Sequence, residues 1–364
     1  MHLPHHADEY SADLLTRIIS VQRPDIVITA RTVVEGRQYG DGNASTAGRC
    51  VFDVDYAPGT DPTLPRRLVV KIARIGANAD HHVLYRNELN FYQRLRPVLD
   101  IEAPLSLGSH FDEDSGTFAL VMEDLSLRGG QCMNNQVEHS PAHVRQLFDV
   151  LAPLHARFWN SPRFEQDLAW VPAHTHGPLH TIFSDPSRVP AHIAATVPHV
   201  HFKREMLQRA GVSPADLYQQ VQRAQQAQRR GPLTLLHGDC HVGNTYRLPN
   251  GAGLIDWQLL AHGHYMHDVG YYIQTSLGIA DRRRHERELI GYYLDRLQQA
   301  GVTTPPSLDD AWLHYRRACA WNLYIGWLPV GIENYGWEIC ELAHLRVTTA
   351  YEDLQTARAI AELD

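Results

Sequence analysis

Paired cysteines, long apolar runs and an excess of positive charge are all missing from this 364-residue chain, and each absence excludes a class of protein. No apolar run reaches the ~20 residues that a membrane span needs, and we expect no secretory signal at the N-terminus. The five cysteines are scattered without a Cys-x-x-Cys pair, which predicts reduced thiols in a cytoplasmic protein. The net charge of −8 argues against a nucleic-acid or anionic-membrane partner.

Lysine is also rare, because Lys71 and Lys203 stand against 31 arginines among the 33 basic residues. Lys71 lies within the apolar run 67–73, which predicts a buried strand. A compact ammonium group in such a strand is suited to contact the α- and β-phosphates of a nucleotide. The alternative is an edge-strand lysine whose ammonium group extends into solvent.

Hydrophobic periodicity predicts a sheet-forming N-terminal region followed by a mainly helical remainder. Five strands are predicted to form an antiparallel sheet, at 25–34, 49–56, 67–73, 104–110 and 116–122. A helix is predicted at 80–95, between the third and fourth strands. The helical remainder has a predicted break at 301–306, and the proline-rich segment 161–200 is predicted to be irregular.

The most informative stretch is His237-Gly238-Asp239, which is followed by Asn244 and Asp256. Short apolar runs at 233–236 and 253–255 predict buried strands that could bring these polar side chains together. Mg²⁺ prefers such oxygen ligands, and phosphoryl transfer needs a carboxylate that accepts the proton of the attacking hydroxyl. Asp239 is therefore a candidate base, and Asn244 and Asp256 are candidate metal ligands. The alternative is that all three are ordinary turn and cap residues.

These motifs resemble those of the phosphotransferase superfamily of aminoglycoside and choline kinases. The resemblance is carried by His237-Gly238-Asp239, Asn244 and Asp256-Trp257-Gln258. The segments 122–126 and 271–277 are similar to the ecdysteroid-kinase-like branch, also called CHK-kinase-like. The resemblance implies an enzyme that uses ATP and Mg²⁺ and transfers the γ-phosphoryl group to a hydroxyl of a small molecule.

The implied fold is α+β, a bilobal protein-kinase-like fold. Its small antiparallel-sheet lobe would comprise residues 1–123 and clamp the nucleotide. Its mainly helical lobe would comprise residues 124–364 and carry the catalytic loop and acceptor pocket. Glu88, 17 positions after Lys71, is placed to be the helix carboxylate that pairs with the lysine, and the alternative is a surface helix charge.

Two other segments are candidates for contact with the nucleotide. A glycine-rich turn could cover the phosphates, because backbone N–H groups approach anions closely where Cβ atoms are missing; its candidate residues are Gly40, Gly42, Asn43 and Ser45. The third glycine of the protein-kinase pattern is absent, and a flexible hairpin tip would have the same composition. Glu123 and Leu125 lie where an apolar strand becomes a polar connector, and backbone groups there could contact the adenine edge.

Three polar residues near the motif are predicted to support it. His237 is expected to orient the loop through hydrogen bonds, and His155 is expected to be a core histidine. Asp268 is expected to anchor the catalytic loop or cap a helix, with metal ligation as the alternative.

Two other functions are alternatives to a small-molecule kinase. A protein kinase is disfavoured because the chain lacks Asp-Phe-Gly and Ala-Pro-Glu segments and has Gly238 before the base. A non-catalytic nucleotide-binding protein with the same fold remains open. The sequence does not indicate the acceptor, the choice between ATP and GTP, or the oligomeric state.

Overall fold

A computed structural model describes residues 1–38 and 46–363, so the candidates Gly40, Gly42, Asn43 and Ser45 lie outside the described residues. The chain divides into two compact units. The first comprises residues 1–131, 254–258 and 333–335, and the second comprises 132–253, 259–332 and 336–364. The predicted lobes 1–123 and 124–364 are contiguous, whereas the first unit includes two short segments from later in the chain.

The first unit is built on a five-stranded sheet, which confirms the predicted antiparallel arrangement. Its strands are β1 (Ile28–Arg37), β2 (Ala47–Tyr56), β3 (Arg67–Ala73), β4 (Ser106–Phe111) and β5 (Phe118–Glu123). Their order is β1-β2-β3-β5-β4, and every neighbouring pair is antiparallel. The sequence pattern located β3 to the residue, and the other strands are shifted by one to three residues.

Alternation of side chains along β3 decides which way Lys71 points. Leu68, Val70 and Ile72 are buried in a core that also contains the apolar face of helix α1 (Ala12–Ser20). Burying side chains of this size stabilises the unit by about 1.5–3 kcal/mol each. Because successive residues of a strand face opposite sides, Lys71 lies on the other face of the sheet.

Helix α2 (Ala79–Asn90) follows β3 and carries Glu88. The side chain of Asn78 caps its first turn by accepting a hydrogen bond from the His81 N–H at 3.2 Å. The predicted helix 80–95 is interrupted at its end, because Phe91–Leu95 form a wider π-helical turn. Such turns occur frequently at functional sites.

The second unit is mainly helical. Its longer helices are α3 (Pro141–Arg157), α6 (His201–Ala210), α7 (Pro214–Gln228), α8 (Met266–Ser276), α9 (Ile279–Gln299), α10 (Leu308–Tyr324) and α12 (Trp337–Asp353). The shorter helices are α4 (Gly177–Ser184), α5 (Val189–Thr196), α11 (Ile332–Tyr335) and α13 (Thr356–Ala361). Residues 333–335 of α11 belong to the first unit. Helices α4 and α5 lie in the segment 161–200, which was predicted to be irregular, so that prediction was too simple. The predicted break at 301–306 falls between α9 and α10.

Short strands frame the segment that contains Asp239 and Asn244. They are β6 (Gln131–Cys132), β7 (Leu233–Leu236), β8 (Thr245–Leu248), β9 (Gly251–Leu254) and β10 (Ala261–His264). Strand β7 pairs with β10 in antiparallel register, and β8 pairs with β9. The loop 237–244 therefore leaves one strand and enters another, which holds both of its ends. In the part of the chain that the structure describes, no helix is both long and apolar enough to cross a membrane.

Candidate active site

The first unit brings together three of the residues that the sequence singled out. The Lys71 Nζ donates hydrogen bonds to Glu88 Oε2 at 2.7 Å and to Asp256 Oδ1 at 2.9 Å. The Glu88 side chain is 1% exposed, compared with 11% for Lys71 and 20% for Asp256. The ammonium group is thus held between a fully buried carboxylate and a more accessible one.

The charges in this cluster shift one another's protonation. Burial lowers the pKa of Lys71, but the adjacent Asp256 and Glu88 carboxylates outweigh it and raise this pKa above its usual value. Burial raises the pKa of Glu88 to about 7, against the opposing effect of the Lys71 ammonium group. Lys71 is therefore a permanent cation at neutral pH, which is the state that contact with phosphate oxygens requires.

The segment 254–258 is fixed to the first unit by contacts with α2 and the turn that follows it. The Trp257 ring stacks on Phe91 with centroids 3.8 Å apart, and the Asn87 side chain donates to the Gln258 carbonyl oxygen at 2.9 Å. The Gln258 side chain accepts a hydrogen bond from Thr46 Oγ1 at 2.6 Å. Asp256 itself has a φ of +63°, an uncommon conformation for a residue other than glycine. These contacts hold it in that conformation, so its carboxylate is aimed at Lys71.

Asp239 and Asn244 lie together in the second unit. The Asn244 Nδ2 donates to the Asp239 backbone oxygen and to Asp239 Oδ2, both at 3.0 Å. With the amide nitrogen engaged in this way, the Asn244 oxygen is the atom suited to a metal ion. Asp239 is partly exposed, which leaves its carboxylate open to a small molecule.

Asp268 anchors the loop that carries Asp239, as the sequence predicted. Its Oδ2 accepts from the His237 N–H at 2.7 Å, and its Oδ1 accepts from the Gly238 N–H at 3.0 Å. Burial would raise the pKa of Asp268, but the hydrogen bond from His155 and the nearby imidazoles leave this pKa below its usual value. His155 is fully buried and contacts Asp268 at 3.3 Å and the Tyr293 hydroxyl at 2.7 Å, which fits the predicted core histidine.

The backbone at position 238 requires a glycine. Its φ is +84°, and a Cβ at this position would lie 1.9 Å from the backbone oxygen of Leu259. Only glycine allows both this conformation and this close approach.

Some backbone groups of Glu123 and Leu125 form hydrogen bonds within the first unit. The Glu123 N–H donates to the Leu105 oxygen at 3.0 Å, and the Leu125 oxygen accepts from the Gly130 N–H at 2.8 Å. The Glu123 carboxylate contacts Arg128 and the Leu105 N–H. The Glu123 N–H, the Glu123 carboxylate and the Leu125 carbonyl oxygen are therefore engaged within the first unit.

His267 contacts the loop 237–244, and sequence analysis missed this contact. Its Nε2 donates to the Gly238 carbonyl oxygen at 2.8 Å. The only signal available in the sequence was its position directly before Asp268, which was itself predicted to reach this loop.

Comparison with known proteins identifies the class of fold. A choline kinase from Cryptosporidium parvum is 14% identical with a TM-score of 0.53, over 91% of this chain and 90% of that one. An ethanolamine kinase from Plasmodium vivax is 11% identical with a TM-score of 0.53, over 88% and 81%. A GDP complex of aminoglycoside 2′-phosphotransferase-IIIa is 15% identical with a TM-score of 0.52, over 94% and 99%. The chain has an α+β, protein-kinase-like fold.

Family membership follows from the sequence match. Residues 56–310 match the phosphotransferase enzyme family, and the chain belongs to it. Methylthioribose kinases from two strains of Bacillus cereus are 25% identical over 124 residues, a match that spans 32% of this chain and 30% of theirs. The narrower resemblance to the ecdysteroid-kinase-like branch stays a prediction.

Proposed function

We propose that this chain transfers the γ-phosphoryl group of ATP, in the presence of Mg²⁺, to a hydroxyl group of a small molecule. The observation that carries the proposal is the Lys71 ammonium group held 2.7 Å from Glu88 and 2.9 Å from Asp256. An ammonium group buried between two carboxylates suits a kinase if Glu88 keeps hold of it, while Asp256 would release it to a phosphate oxygen and bind the metal ion instead.

Each residue has a role in this proposal. Lys71, oriented by Glu88, contacts the α- and β-phosphates, while Glu123 and Leu125 contact the adenine edge through their backbone. Asp239 orients the acceptor hydroxyl and takes its proton. Gly40, Gly42, Asn43 and Ser45 are proposed to cover the phosphates on the basis of the sequence pattern.

Asp256 and Asn244 are proposed to ligate Mg²⁺ through oxygen atoms. Their chemistry fits this ion, which prefers hard oxygen donors and takes few of them from the protein when phosphates supply the rest. No cluster of three or more His, Cys, Asp or Glu side chains able to hold a metal ion occurs among residues 1–38 and 46–363. When bound, Mg²⁺ would supply neutralisation of the phosphate charge.

The acceptor is proposed to be a small alcohol. The resemblance to the ecdysteroid-kinase-like branch suggests a hydroxylated lipid or a steroid-like alcohol. The names of the similar proteins add choline, ethanolamine, methylthioribose and aminoglycosides to the compounds worth testing.

The test is the consumption of ATP or GTP with Mg²⁺ across a panel of these compounds, using the wild type and Asp239→Asn. We expect Asp239→Asn to lower kcat by about 10²–10⁴-fold, the typical contribution of a general base, with the Kd for Mg·ATP unchanged. Asp295→Asn is the matched control, because Asp295 is an exposed residue of α9 in the same unit. Tight binding of Mg·ATP without turnover of any acceptor would instead favour a nucleotide-binding protein. Failure to bind any nucleotide would exclude both.

A further inference from the structure

The peptide group that joins Gly238 to Asp239 is held by an imidazole at each end. The Gly238 carbonyl oxygen accepts a hydrogen bond from His267 Nε2 at 2.8 Å. The Asp239 N–H donates to His237 Nδ1 at 3.3 Å. A peptide group is planar, so fixing its oxygen and its N–H fixes the plane from which the Asp239 side chain projects.

Helix α8 supplies two consecutive side chains to the same glycine. Asp268 accepts from the Gly238 N–H at 3.0 Å, while His267 donates to its carbonyl oxygen. Gly238 needs such support, because glycine is the residue with the widest range of backbone conformations. Removal of the His267 donor would leave a buried carbonyl oxygen without this hydrogen bond and would permit the peptide to rotate.

The His267 ring is itself held firmly in place. It is 2% exposed, and its centroid lies 3.9 Å from that of His174 and 4.4 Å from that of Trp321, whose plane is nearly perpendicular to it. Burial lowers the pKa of His267, so the ring is neutral at pH 7. The bond to a carbonyl oxygen then requires the tautomer with the proton on Nε2.

We propose that His267 is a positioning residue that sets the direction of the Asp239 carboxylate through the Gly238–Asp239 peptide. This inference rests on the proposed function, because it gives Asp239 the role of base. Displacing a reacting group by ~1 Å costs about 10²-fold in rate. Lys71, Glu88 and Asp256 belong to the other unit, so nucleotide binding should not depend on His267.

Three substitutions of His267 distinguish the effect of its hydrogen bond from the effect of its size and shape. His267→Gln places an amide donor near the position of Nε2, His267→Asn is polar but too short, and His267→Leu has no donor. With the acceptor that the wild type turns over best, we expect the leucine and asparagine variants to lose about 10–100-fold in kcat. The KM for Mg·ATP should stay within about twofold, and the glutamine variant should recover most of kcat.

Hydrogen exchange gives a second measurement that needs no acceptor. Amide exchange in the segment 235–241 should be faster in His267→Leu and His267→Asn than in the wild type. In His267→Gln the exchange rate should return to that of the wild type. His314→Leu is the control, because His314 is a partly buried histidine of the same unit that contacts Tyr265. It should leave exchange in this segment unchanged.

Several outcomes would overturn the proposal. One is that both His267→Leu and His267→Asn keep the kcat and the exchange rates of the wild type. Another is that His267→Gln loses as much kcat as His267→Asn. If the wild type turns over no acceptor, the proposed function fails, and exchange alone decides whether His267 positions the loop. If His267→Leu does not fold, the comparison of glutamine with asparagine remains decisive.

Discussion

Replacing Lys71 by methionine would leave the buried Glu88 carboxylate without the ammonium group that it contacts at 2.7 Å. Glu88 is 1% exposed, so solvent cannot compensate the lost partner. Removing one member of a buried ion pair costs about 3–5 kcal/mol, because it strands a charge in a poorly polarisable environment. We expect Lys71→Met to lower the free energy of unfolding by that amount at pH 8.

Two further measurements test the origin of this loss. The double variant Lys71→Met/Glu88→Gln removes the fully buried charge, leaves only the more accessible Asp256 carboxylate without its ammonium partner, and should recover most of the stability. Lowering the pH to 5.5 should also reduce the cost of Lys71→Met, because the pKa of Glu88 is raised to about 7 and the group takes up a proton. In the folded wild type Glu88 keeps its proton up to about pH 7, whereas in the unfolded chain it loses the proton near pH 4.5. The folded state therefore binds more protons in this interval, and the contribution of Glu88 to stability falls as the pH rises through it.

The matched control lies on the same strand. Arg67 contacts Asp53 at 2.7 Å, but the two side chains are 36% and 48% exposed. Arg67→Met should therefore cost less than about 1 kcal/mol. Urea unfolding followed by tryptophan fluorescence at pH 5.5 and 8 measures all four proteins. Equal losses for the single and double Lys71 variants at pH 8, or a loss for Arg67→Met as large as that for Lys71→Met, would refute the reasoning.

Two predictions concern the second unit. Gly238→Ala should lower phosphoryl transfer by at least about 10²-fold and destabilise the protein, because its Cβ would meet the Leu259 oxygen at 1.9 Å and φ is +84°. Gly211→Ala, with φ of +64° and nothing within 4 Å, should cost only about 1 kcal/mol, the backbone contribution alone. Burial lowers the pKa of His344 from 6.5 to about 3, so stability should fall as the pH drops from 6.5 towards 3, by about 2 kcal/mol at pH 5. His344→Gln should remove that part of the pH dependence.

Kinetic assays and urea unfolding of both alanine variants check the first prediction. Equal losses of unfolding free energy in Gly238→Ala and Gly211→Ala would contradict the proposed clash. Unfolding curves of His344→Gln and the wild type between pH 5 and 8 check the second. An unchanged pH dependence in His344→Gln would show that other groups are responsible.

The sequence alone determined much of the local structure around the candidate site residues. The run of apolar residues located β3 at Arg67–Ala73, with Lys71 inside it. The spacing of Asp239 and Asn244 put them in one loop, where they share hydrogen bonds. These predictions succeeded because side-chain periodicity and turn chemistry act over a few neighbouring residues.

Tertiary structure decided the partners of those residues. Asp256 meets Lys71 across 185 positions of sequence, because Phe91 stacks on Trp257 and holds the segment 254–258 in the first unit. His267 reaches Gly238 because helix α8 packs behind the catalytic loop and presents two consecutive side chains to it. Such contacts depend on how distant elements bury their apolar faces against one another, and a local sequence pattern does not contain that information.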